Sequence, residues 1–146
     1  MNARVGVAVV GHGKTASALL DAARGIAPPG SLDDVVAIDA GVGETAGLSA
    51  VMCAAITAAD RGRGVVVLVD LLGASPCQCA QREGQDHALA VVSGVSLAML
   101  IKLSTLDRDA TSLSHVADAC ADAAHRAVVV SERRDDGDGE GAGRSG

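Results

Sequence analysis

The sequence predicts an α/β protein: a three-layer α/β/α arrangement around a mainly parallel sheet. Three observations lead there. Short β-branched runs such as Val65 to Val69 are apolar throughout, segments with helical spacing separate them, and Gly or Pro clusters mark the boundaries. Strands without polar alternation belong in a sheet covered on both faces, which is the habit of parallel sheets. The 146 residues suit one core, and 49% of them are hydrophobic. Phe, Tyr and Trp are absent, so Val, Ala, Leu, Ile and Met must build that core.

In chain order, Val5 to Val10 predicts a buried strand ended by Gly11-His12-Gly13. Thr15 to Ile26 carries Ala16, Leu19, Leu20 and Ala23 on one helical face, and Pro28-Pro29-Gly30 stops it. Val35 to Ile38 is a second strand. Glu44 to Ala59 is a helix, with Leu48, Val51, Met52, Ala55 and Ile56 on a 3.6-residue period. Val65 to Val69 is a third strand, ending in Asp70. Leu71 to Pro76 reads as a loop into a short helix reaching about Glu83, with proline in its first turn. Ala88 to Val92 is a fourth strand. Ser96 caps a helix running to Ser104, and Asp109 to His125 forms another. Ala127 to Val130 predicts a fifth strand. Residues 131–146 are polar, Gly-rich and aperiodic, so a domain over 1–130 and a disordered acidic tail over 131–146 are expected.

Composition excludes several functions. A net charge of −6 and the lack of aromatics argue against nucleic acid, which needs a basic field and stacking platforms. No apolar run approaches the ~20 residues of a membrane-spanning helix. Nor does the amino end look like a secretory signal, so a cytoplasmic protein is expected. In that compartment Cys53, Cys77, Cys79 and Cys120 should be thiols. Cys77-Gln78-Cys79 has a single intervening residue, unlike the usual zinc and redox motifs, and neither metal nor cofactor is expected.

In a parallel sheet the crevice beyond the carboxyl ends of the strands holds the chemistry. Gly11-His12-Gly13, the turn after Asp70, and Ser93 to Ser96 all reach that edge. His12 stands between two glycines that let the backbone turn sharply, and the helix beyond it offers free amides to an anion. Asp70 ends the most apolar strand, where a carboxylate needs a donor or water. A hydrogen bond from His12 to Asp70 would fix the tautomer and leave the other ring nitrogen as nucleophile. Asp70 capping a turn is the simpler alternative. Ser75 and the amides of the 73–76 turn are further donors.

Ala8 to Thr15 also satisfies a relaxed phosphate-loop pattern, with Asp70 as a magnesium-strand aspartate. Its fit is poor, because Val9 and Val10 complete the strand and leave Gly11 to Gly13 as a short loop. Ser75 lacks a nucleophile elbow, and the two neighbouring cysteines lack a well-spaced histidine. His87, His115 and His125 read as surface residues, and so do Lys14 and Lys102.

Together these motifs resemble the enzyme IIA domain of the mannose class of the phosphoenolpyruvate-dependent sugar phosphotransferase system, over about residues 4 to 130. Val7 to Gly13 looks like the family's strand and His-Gly loop. Val67 to Pro76 looks like its apolar strand, Asp, two residues and Gly-Gly-Ser-Pro. Val91 to Leu100 is similar to its Gly-Val-Asn-Leu-Pro-Met-Leu segment. The resemblance implies that His12 carries a phosphoryl group, received from HPr and passed to an enzyme IIB. It implies that Asp70 orients the imidazole, and that Gly13, Gly73 and Ser75 bind the phosphoryl oxygens. It further implies a homodimer whose last strand is antiparallel and exchanged between protomers, with at most peripheral contact with a membrane permease. Ala74, Cys77, Gln78, Ser96 and Ala98 depart from the family pattern around the site, where partners would dock. A small nucleotide-binding domain and a non-catalytic module of the same fold are the alternatives.

Overall fold

Four strands, β1 (Arg4–Gly11), β2 (Val36–Asp39), β3 (Gly62–Val69) and β4 (Leu89–Ser93), form a sheet in the order β2-β1-β3-β4. Every pairing is parallel. The computed structural model describes residues 3–40, 48–71 and 88–135. Within these lie four helices: α1 (Thr15–Ile26), α2 (Leu48–Ala59), α3 (Leu97–Ser104) and α4 (Leu113–Ala127).

Strand alternation divides the apolar side chains between two layers. Val5, Val7 and Val9 of β1 and Val66 and Leu68 of β3 pack with α1, α3 and α4. Ala8 and Val10, with Val65, Val67 and Val69, face α2 through Met52, Ile56 and Ala59. Ala16, Leu20 and Ala23 of α1 and Met52 and Ile56 of α2 are buried as the apolar spacing predicts, whereas Val51, expected on the same face of α2, is 60% exposed. Each buried Val or Leu contributes roughly 1.5–3 kcal/mol relative to exposure, so the β1–β3 pair anchors both layers. Gly6 lets α2 close onto that pair: a Cβ there would lie 2.0 Å from the Ala59 carbonyl oxygen.

A polar tie secures the opposite end of the sheet. Arg108, only 1% exposed, follows α3 in a turn that the sequence reading did not single out. Its Nη1 donates to the Val5 carbonyl at 3.0 Å and to Asp34 Oδ2 at 2.9 Å, and Nη2 donates to Asp34 Oδ1 at 2.6 Å. Val5 N in turn donates to the Arg108 carbonyl at 3.0 Å. Burial raises the pKa of Asp34, but the hydrogen bond and charge of Arg108 outweigh it, and the carboxyl is held below its ordinary range.

Some expectations shift. β3 begins at Gly62, earlier than its apolar run, and β2 extends through Asp39. The last helix starts at Leu113 rather than Asp109, because the Ser112 side chain accepts from His115 N and caps it there. Ser96 caps α3 as expected, accepting from Met99 N at 3.3 Å. The fifth strand is not formed within the described chain: α4 runs to Ala127, and Val128 to Val130 have no sheet partner among the described residues. Val128, Val129 and Val130 are 80%, 72% and 75% exposed. A strand needs a neighbour for its backbone groups, and apolar character alone supplies none. The described sheet is therefore wholly parallel.

Cys120 is a free buried thiol, whereas Cys53 is disulfide-bonded, against the expectation of four thiols. Proximity decides pairing in a fold, and sequence composition carries no proximity. Residues 131–135 are exposed and irregular. The short helix expected after Pro76, the start of α2 at Glu44, His87, Cys77, Cys79 and most of the expected tail lie outside the described residues. No helix among the described residues is long and apolar enough to cross a membrane.

The Asp34–Arg108 pair generates a pH prediction. With its folded pKa lowered, Asp34 stabilises the fold fully above its unfolded pKa of about 3.9, and that contribution is lost as pH falls through the folded value. Asp34→Ala should flatten this acid limb and, by stranding a buried guanidinium, cost about 3–5 kcal/mol at neutral pH. Urea unfolding between pH 3 and pH 7 measures both.

Candidate functional site

The strand order sends the chain from β1 outward to β2 on one side and to β3 on the other. A topological switch point therefore falls between the ends of β1 and β3, where open α/β sheets bind ligands. Asp70 N donates to the Val10 carbonyl at 3.2 Å, so the two strands stay together to that edge. His12 follows β1, and Gly13 turns the chain with φ +57°, a left-handed conformation that suits glycine.

His12 and Asp70 meet there through three contacts. The His12 amide donates to Asp70 Oδ2 at 2.8 Å, and the ring Nδ1 lies 3.0 Å from Oδ2 and 3.2 Å from Oδ1. Leu71 N adds a fourth hydrogen bond, to Oδ1 at 2.8 Å. Partial burial raises the pKa of Asp70. The amide and ring hydrogen bonds of His12, then the Leu71 amide, outweigh it and leave the carboxyl below its usual range. An ionised carboxylate can only accept, so Nδ1 is the ring nitrogen that donates to it, and Nε2 lies on the far side of the ring from the pair. The imidazole is 60% exposed and the Asp70 side chain 21%, which leaves the ring open to solvent.

The third predicted segment reaches the same edge, since Val95 N donates to the Val69 carbonyl at 2.9 Å. Gly73 and Ser75 lie outside the described residues. His115, His125, Lys14 and Lys102 are exposed, as their surface reading requires. A phosphate loop has no room: β1 continues through Gly11, and only residues 12–14 separate it from α1.

Sequence reasoning missed Asp39. Lys14, at the cap position of α1, makes no side-chain cap bond. Asp39, the last residue of β2, supplies the cap from across the fold. Its Oδ1 accepts from Ser17 N at 3.0 Å, and its Oδ2 accepts from the Ser17 hydroxyl at 2.5 Å. The amino end of α1, expected to be free for an external anion, thus already holds a carboxylate of the chain. The signal was present, because Asp39 follows an apolar run just as Asp70 does.

Comparison with known proteins places this fold in a family. The EIIA-man family model, described as the PTS system fructose IIA component, matches residues 6–121. YadI of Escherichia coli (strain K12), described as a phosphotransferase enzyme IIA component, is 36% identical over 66 residues. That match spans 44% of this chain and 45% of YadI, less than half of the curated relative. A phosphotransferase system component EIIA from Streptococcus agalactiae aligns with a TM-score of 0.66 and 25% identity, covering 86% of this chain and 96% of that one. The mannose/sorbose specific IIA subunit from Enterococcus faecalis shares the fold with a TM-score of 0.70 and 22% identity, over 90% of this chain and 98% of that one. With the family model covering most of its length, and the sheet edge carrying the histidine and aspartate described above, the chain belongs to the mannose-class enzyme IIA family of the phosphotransferase system.

Proposed function

We propose that this chain is a phosphohistidine carrier that accepts a phosphoryl group from HPr on His12 and passes it to an enzyme IIB. One observation carries the reading: His12 Nδ1 rests on the Asp70 carboxylate while the rest of the imidazole faces solvent. The Nε2 lone pair attacks the phosphorus of the donor phosphohistidine. The new N–P bond forms as the donor's N–P bond breaks, and the departing imidazole keeps that electron pair. Positive charge building on the His12 ring is met by Asp70, which retains the Nδ1 proton as a hydrogen bond. Transfer onward reverses these steps on a second histidine. Such an exchange relies on positioning and fixed dipoles. Gly13, Gly73 and Ser75 are assigned the phosphoryl oxygens, with Gly13 placed directly beside the imidazole in sequence.

The same reading includes a cytoplasmic homodimer, with residues 1–130 as the carrier domain and 131–146 as an appended acidic tail. The exposed Val128 to Val130 segment supports the dimer, since it extends beside an apolar hollow lined by Val92, Met99, Ala124 and Val128 at the β4 end of the sheet. An unpaired sheet edge is a template for another strand, and a second copy would cover both features.

Three outcomes are expected. In a mixture of phosphoenolpyruvate, enzyme I and HPr, the protein should gain one acid-labile phosphate by intact mass, and His12→Ala should gain none. Labelling that survives in His12→Ala would overturn the assignment, and an unlabelled wild type beside phosphorylated HPr would favour the non-catalytic module. Asp70→Ala should still fold but take phosphate about a hundredfold more slowly, measured by rapid quench. Val129→Asp should convert a dimer into a monomer in sedimentation velocity, while a monomeric wild type would sink the dimer.

A further inference from the structure

A carrier has to release its group as readily as it accepts it. The amino end of a helix, with its free amides and positive dipole, stabilises anions and would hold a phosphoryl group placed beside it. His12 precedes α1 by three residues, and the Thr15 amide donates to the His12 carbonyl at 3.0 Å. Left open, this helix end would offer its amides to an anion only three positions beyond His12. It is filled instead by Asp39.

The placement is fixed from several sides. In the β1–β2 register Asp39 is the partner of Gly11, the residue before His12, and Ala40 N donates to the Gly11 carbonyl at 2.8 Å. The carboxylate reaches over the first turn of α1 to take both the amide and the hydroxyl of Ser17. Those bonds hold its pKa low, with the Lys14 charge adding to them, so it is ionised at neutral pH. A single side chain therefore joins β2 to the first turn of α1 and places a negative charge at the amino end of the helix that follows His12.

Resting on the carrier reading, we propose that Asp39 is a positioning residue for His12: it occupies the amino end of α1, holds the Gly11–Lys14 turn against β2, and keeps the phosphoryl group from being captured there. The phosphohistidine is then poised for exchange instead of storage.

Asp39→Asn separates charge from hydrogen bonding, because its amide oxygen still accepts from Ser17 N. Incubated with phosphorylated HPr, this variant should keep its thermal midpoint yet shift the exchange equilibrium toward its own phosphorylated form by about two- to fivefold. Ser17→Ala removes the hydroxyl but leaves the charge, and its equilibrium ratio should match wild type. Asp39→Ala loses charge and cap together and should both shift the ratio and slow labelling. An Asp39→Asn ratio equal to wild type would overturn the proposal, as would a Ser17→Ala shift of the same size. If wild type takes no phosphate while HPr does, the carrier reading itself fails, and that outcome is distinct from either of these.

Discussion

The parallel pairing of β1 with β3 is the constraint on which the rest of the molecule depends. Both strands are buried on both faces, and their alternate side chains feed the two helical layers. Because the pairing is parallel, the residues that follow both strands emerge at one edge. Because it lies at the switch point of the strand order, the chain leaves β1 for β2 on one side and β3 for β4 on the other. His12 and Asp70 are brought together by this pairing although 58 positions separate them.

The two ends of the sheet are built for different tasks. At the amino ends of the strands, the Arg108 guanidinium is buried and shared between Asp34 and the Val5 carbonyl, a contact whose removal leaves an unpaired charge in the interior. At the carboxyl ends, Asp39 and Asp70 are more open and hold backbone amides, a hydroxyl and an imidazole. The buried ion pair thus lies at the opposite end of the sheet from His12 and Asp70. The reactive edge keeps carboxylates that orient neighbouring groups without burying an isolated charge.

This division also separates the two acids at the reactive edge. Asp70 touches the imidazole directly and, in the proposed carrier, answers the charge that develops during transfer. Asp39 acts through the backbone, on the helix that begins just beyond the histidine. In the proposed carrier the one would favour accepting a phosphoryl group and the other would oppose holding it.

The elements themselves were legible in the sequence because period and punctuation are local. The apolar runs at Val5 to Val10 and Val65 to Val69, the helical face of Thr15 to Ile26, and the Ser96 cap all predict structure from neighbours within a few residues. His12 and Asp70 were legible because a terminal residue on an apolar parallel strand has a defined edge to reach. What only the tertiary structure decided depends on distant partners. Asp39 belongs to the α1 cap only once β2 lies beside β1, and Arg108 meets Asp34 only across 74 positions of chain. Val128 to Val130 shows the same limit from the other side. Its apolar, β-branched sequence determines a strand's composition, but a strand forms only where another backbone is present to complete its hydrogen bonds.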